Sequence, residues 1–183
     1  MKRLVLWVFI LGSISNGQTQ GTINFDNYVA GVVDAPVSDA AGSRIIGPGP
    51  YLADLFWSAD LQAPADALLP AGYNTPFSST TMNGGGYFFG GLKVLPGGGA
   101  QQWLVQVRVW DATGGLSYQA AQASGREFGF SDLLMLTSVS PGGDLVGLKP
   151  FQLQVIPEPS VLALALAGGG MLWARRKTRT GAR

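Results

Sequence analysis

Asp54, Asp60, Asp66, Asp111, Glu127 and Asp132 are the side chains best suited to acid–base work in this sequence, which contains neither Cys nor His. That composition removes a thiol nucleophile, a Ser-His-Asp triad, and zinc sites built on imidazole or thiolate. What remains is carboxylate chemistry of the glycosidase kind, which needs two such groups about 5–10 Å apart. Their spacing along the chain does not pair them, and turn or surface positions are the ordinary place for aspartate. Asp34 and Asp39, in "VVDAPVSDAAG", offer hard oxygen ligands of the type calcium takes. They lack the alternating ligands and terminal Glu of an EF-hand loop, so turn and cap roles fit them better. The sequence therefore predicts no metal and no cofactor.

A second set of residues could bind rather than react. Tyr51, Trp57, Tyr87, Trp103 and Trp110 would suit a platform on which sugars stack, though Trp and Tyr are equally ordinary in β-protein cores. Trp110 and Trp57 are the candidate ligand-binding pair. Trp110 falls on the face opposite the stripe of Val105, Val107 and Val109, which makes it either exposed or part of a second packed layer.

The elements that must position these residues read as strands and turns. With 27 Gly, 11 Pro and only 13% charged residues, the composition describes a turn-rich β body, and 46% apolar content argues against disorder. "TINFDNYV" alternates with Ile23 and Phe25 on one face, and "YLADLFWSA" places Tyr51, Ala53, Leu55 and Trp57 together. In "QQWLVQVRVWDA", Trp103, Val105, Val107 and Val109 form a core face, while Leu104, Gln106, Arg108 and Trp110 form a wetter one. "FQLQVI" points Phe151, Leu153 and Val155 inward. "NGGGYFFGG" and "PGGGAQQ" are turn signals in which Gly permits positive φ. "DLQAPADALLPAG" has room for one short helical turn, but Pro64 and Pro70 limit it and it reads as a loop. Without helical periodicity of any length, the expected fold is mainly β: an antiparallel β-sandwich over residues 20–155.

Charge is segregated along the chain. Residues 20–156 carry five basic residues (Arg44, Lys93, Arg108, Arg126, Lys149) against ten acidic ones, a net of −5. An acidic body does not suit nucleic acid, which needs a basic patch. The remaining basic residues lie at the two ends. "MKRLVLWVFILGSIS" has a cationic start, a short apolar run and small residues at Ser15 and Gly17, the pattern of a signal peptide over residues 1–19, cut after Gly17 or Thr19.

The C-terminal segment, residues 156–183, begins with Pro157-Glu158-Pro159. Fifteen uncharged residues from Ser160 to Ala174 follow, and then the basic stop Arg175, Arg176 and Lys177. As a helix that run would be about 22 Å long, short of a hydrocarbon core of roughly 30 Å. The basic flank orients it as a single transmembrane helix with its end in the cytoplasm, which leaves the body on the other side. The prolines stop helix propagation toward the body and favour an extended Pro-Glu-Pro stretch. In its order of parts, "VIPEPSVLALALAGGGMLWARRK" resembles the PEP-CTERM sorting signal of Gram-negative bacteria. That resemblance implies an exosortase-type membrane enzyme that recognises Pro157, Glu158 and Pro159 and processes an inner-membrane precursor for release or transfer to the cell surface. It covers the tail alone and implies nothing about the body. The expected function is non-enzymatic: an exported surface or extracellular-matrix protein with a structural or adhesive role. A carbohydrate-binding module of the exopolysaccharide matrix is the alternative, and a small hydrolase the third reading.

Overall fold

The alternating stretches Thr22–Asp26 and Gln102–Asp111 pair into sheet, because only a strand puts every second side chain on one face. The computed structural model describes residues 21–79, 84–95, 102–137 and 142–156. The expected signal peptide, Pro157-Glu158-Pro159, the apolar run and the basic stop lie outside the described residues. In chain order the elements are β1 (Thr22–Asp26), β2 (Tyr28–Val29), β3 (Val33–Asp34), β4 (Val37–Ser38), β5 (Tyr51–Ser58), β6 (Leu69–Pro70), β7 (Thr75–Pro76) and β8 (Phe89–Val94). Then come β9 (Gln102–Asp111), helix α1 (Tyr118–Ala123), β10 (Phe128–Phe130), β11 (Leu134–Thr137), β12 (Gly143–Asp144) and β13 (Phe151–Gln152). The protein is mainly β, with several sheets.

The largest sheet has the order β10-β9-β5-β6, with β11 also on β9 and β7 also on β5. Its spine is the antiparallel pair β5–β9, in register from Tyr51 opposite Asp111 to Ser58 opposite Leu104. A three-stranded sheet follows the order β12-β1-β8, in which β1 and β12 run parallel. Two further pairs complete the set, β2 with β3 and β4 with β13, the latter parallel.

The core stripe lies where alternation places it. Ala53, Leu55, Val105, Val107 and Val109 are buried in one cluster with Ile23 and Phe25 of β1. Apart from Ala53, each such side chain contributes roughly 1.5–3 kcal/mol when removed from water. Trp103 belongs to the same cluster, and Gly21 is pressed against its ring.

The other face of β9 differs from expectation. Leu104, Gln106, Arg108 and Trp110 are all buried, because a second cluster covers them. Its cover comes from α1, whose Tyr118 and Ala121 face inward, and from Leu68 beyond a 3-10 turn at Ala65–Ala67. That turn is a short helical turn inside the proline-limited stretch read as a loop. Helix α1 was not expected at all. Ser117 caps it, its side chain accepting from Ala120 N at 3.2 Å.

Two irregular features stitch the sheets together. Asn27 is fully buried and donates through Nδ2 to Ala35 O (2.8 Å) and Gly86 O (2.9 Å), while its Oδ1 accepts from Phe88 N at 2.7 Å. Gly86 reaches this position at φ +89, where a side chain would be strained. Near the end of the described chain, Leu153 N donates to Ser38 O and Gln154 exchanges two backbone hydrogen bonds with Phe128, at 2.9 and 2.7 Å. Leu153 is buried as alternation requires. Val155 is not: it is 44% exposed, because pairing ends at Gln154 and the chain leaves the sheet edge.

Candidate functional site

Chemistry in this protein concentrates on the second face of the β5–β9 pair, where polar residues occupy strand positions that alternation leaves free of the main core. Asp54 stands opposite Arg108 in the ladder, and Phe56 opposite Gln106. Residues directly opposite in antiparallel strands share a face, so these four side chains meet there.

Asp54 is 2% exposed. Its Oδ1 accepts from Leu55 N and Tyr73 N, each at 2.8 Å, and its Oδ2 from Gly72 N at 3.0 Å. Burial raises its carboxyl above the ordinary value, against the opposing pull of those backbone N–H groups. The carboxylate thus fastens the turn after β6 and has few lone pairs left to offer.

Arg108 is 7% exposed and takes a different set of partners. Its Nε donates to Gln106 Oε1 at 2.9 Å, and its Nη2 donates to Ala65 O. Gln106 is in turn held by its own donation to Ser131 O at 2.9 Å. The guanidinium lies over the Phe56 ring, 4.1 Å from its centroid, with the Tyr118 ring at 5.1 Å. Burial lowers the Arg108 pKa, and the nearby Tyr118 and Asp66 oppose that shift. Among the described residues Arg108 makes no salt bridge; the ion pair there is Lys149 with Asp132, at 3.6 Å on the surface.

The expected binding pair separates. Trp110 is 1% exposed, edge-on to Tyr118 at 6.4 Å, and belongs to the second packed layer, so it is not available as a stacking surface. The reason is α1, which closes over it. Trp57 lies on the opposite face of the same sheet, half-buried against the main cluster. Trp103 is fully buried, Tyr87 donates to Asp34 Oδ1 at 2.8 Å, and Tyr51 donates to Glu127 Oε2 at 2.8 Å. These five aromatics do not share a surface.

Asp66 is exposed on the 3-10 turn at Ala65–Ala67, and the other carboxylates have local duties. Asp60 closes a turn through Gln62 N, and Asp111 caps a 3-10 turn through Thr113 N at 2.8 Å. Asp39 accepts from Ser43 N at 2.8 Å, closing its own turn. Asp111 and Glu127 both flank the Tyr51 phenol, whose pKa is raised first by burial and then by the bond to Glu127. Among the described residues, no three His, Cys, Asp or Glu side chains gather as a metal site requires. Nor is any helix among them long and apolar enough to cross a membrane.

No family model matches the chain, and neither a curated protein nor a solved structure is similar to it. Its function must be argued from its own residues. Sequence reasoning missed Arg108, having placed it on a wetter face, because the elements that cover that face come from elsewhere in the chain.

Proposed function

We propose that this is an exported, non-enzymatic protein of the cell surface or extracellular matrix, sorted by a PEP-CTERM tail and serving a structural or adhesive role. The observation that carries the reading is the order of parts from Pro157 to Lys177: the Pro-Glu-Pro tripeptide, an apolar run of marginal length, and a basic stop. The signal-peptide pattern at the other end agrees with it. In this reading an exosortase-type enzyme acts on an inner-membrane precursor and the body ends outside.

The body is, in this reading, a β-sandwich. Support comes from the main cluster, in which Ile23 and Phe25 of the three-stranded sheet pack with Leu55, Val105 and Val107 of the larger one. A non-catalytic role is favoured by the way Asp54, Asp60, Asp111, Glu127 and Asp132 are each engaged by a backbone, hydroxyl or ammonium partner.

Replacing Pro157, Glu158 and Pro159 with alanines tests the sorting. The variant should be exported but retained in the inner membrane, since the apolar run is unchanged while the recognition sequence is gone. Fractionation that finds it outside the cell as early as wild type would overturn the reading in favour of an ordinary tail anchor.

A further inference from the structure

Leu116 is 83% exposed, more than any other large apolar side chain among the described residues. It is not held loosely. Gly115 N donates to Ala112 O at 3.1 Å, Ser124 Oγ donates to Gly114 O at 3.3 Å, and Ser117 caps α1, so the turn that presents Leu116 is fastened on both sides. One exposed leucine is ordinary on a protein surface, but this one has company.

At one end of the largest sheet, β9 finishes at Asp111, β10 begins, and the described chain leaves. Asp111 N donates to Glu127 O at 2.9 Å, and Phe128 exchanges backbone bonds with Gln154, so three segments lie side by side there. Gly114 packs directly against the Arg126 side chain. That end therefore carries Leu116, Val155 (44% exposed), Ile156 (49% exposed) and Arg126. Asp111 is engaged by Thr113, and Glu127 by the Tyr51 hydroxyl. Of the charged residues at 111–127, Arg126 is the exposed one.

What meets this end follows from where the chain goes next. Ser160 opens the uncharged run four residues after Ile156, which is about 14 Å at full extension. The headgroup layer takes up about 5–8 Å of that distance. As a helix the run would be about 22 Å long against a hydrocarbon core of roughly 30 Å, and a span that is too short draws its flanks into the interface.

We propose that the end of the body bearing Leu116, Val155, Ile156 and Arg126 lies on the lipid surface while the tail is anchored, with the apolar side chains among the headgroups and Arg126 on lipid phosphate. The inference rests on the reading of residues 156–183 as a membrane anchor, and it gives the anchored precursor a definite posture.

The chain contains no Cys, so a single introduced cysteine can carry a bimane fluorophore. Full-length protein in phosphatidylcholine vesicles is labelled at Thr113→Cys, beside Leu116, at Gln102→Cys, about 30 Å away at the other end of β9, or at Leu164→Cys within the run. Lipid with a doxyl group near its headgroup should quench the Thr113 probe at least roughly threefold more than the Gln102 probe, because interfacial side chains sit about 5–10 Å deep. Lipid with a doxyl group deep in its acyl chain should quench the Leu164 probe. Leu116→Ser, at an exposed position that the fold does not need, should lower quenching of the Thr113 probe roughly twofold. Equal quenching at Thr113 and Gln102 while Leu164 is quenched overturns the posture and leaves the anchor standing. So does quenching that Leu116→Ser leaves unchanged. An unquenched Leu164 probe overturns the anchor reading and this inference with it. A Thr113 probe shielded only as the protein-to-lipid ratio rises, and untouched by doxyl lipid, assigns this end to a second copy of the chain and overturns the proposal.

Discussion

Asp54 and Arg108 face each other across β5 and β9, both buried and oppositely charged, and they do not form an ion pair. Each is held by a different part of the chain. Asp54 fastens the turn at Gly72 and Tyr73, while Arg108 reaches the 3-10 turn at Ala65. The two side chains thus pin the middle and the far end of the excursion between β5 and β7 to the sheet, one through a carbonyl and the other through backbone N–H groups.

Removing Asp54 should therefore loosen that excursion. Asp54→Ala strands the N–H groups of Leu55, Gly72 and Tyr73, and a buried donor without a partner costs about 1–3 kcal/mol. Urea melts should show a loss of about 3 kcal/mol for Asp54→Ala. Asp54→Asn, which keeps one acceptor oxygen, should lose less. Equal stability for wild type and alanine variant would show that the turn holds without it.

Tyr118 provides a pH dependence with a definite sign. Burial pushes its phenol up to about 12, from an ordinary 10.0. The unfolded chain releases this proton first, so the stabilisation is complete below pH 10 and is lost as pH rises toward 12. Tyr73 is also pushed up to about 12 and adds to the slope. Denaturant midpoints measured across that window should fall in the wild type and fall less steeply in Tyr118→Phe; parallel curves would remove Tyr118 as the cause.

Val107 tests the main core. It is fully buried among Leu55, Val105 and Val109. Val107→Asp should abolish folding, since an unpaired buried carboxylate costs several kcal/mol against a total stability of about 5–15 kcal/mol. Circular dichroism should then lose the β signal of the wild type.

Gly86 tests the Asn27 junction. A Cβ there would lie 2.8 Å from Val37 O and 3.0 Å from Val37 N, on a backbone already at φ +89. Gly86→Ala should cost about 2 kcal/mol or more, from left-handed strain together with displaced backbone. A shift of less than a degree in melting temperature would mean that the β4 segment yields freely.

The export reading makes its own prediction. Exported protein should begin near Gln18 or Gln20, set by the small residues at Ser15 and Gly17. N-terminal sequencing that returns Met1 would sink it.

The strands were legible where one face alternates against the other. The burial of Ile23 and Phe25, and of Ala53 and Leu55, follows directly from their period of two. Helix α1 was not legible, because six residues, "YQAAQA", bury only Tyr118 and Ala121 and so give no run of helical spacing to detect. The second face of β9 was misread for a related reason. Its cover arrives from α1 and from Leu68, distant in the chain, and nothing within "QQWLVQVRVWDA" records their arrival. Trp110 followed its neighbours inward. The role of Asp54 was hidden too, since its partners are backbone groups and carry no residue type.

The paired backbone bonds between Phe128 and Gln154 set a leash length. Pro157 follows Gln154 by three residues, which span about 10 Å at full extension. An enzyme that grips residues 157–159 would therefore work within about 10 Å of the Phe128–Gln154 bridge. Under the sorting proposal, access to the tripeptide is then a matter of clearance as well as of sequence, and a Gly-Ser spacer after Ile156 should hasten processing by moving that bridge away.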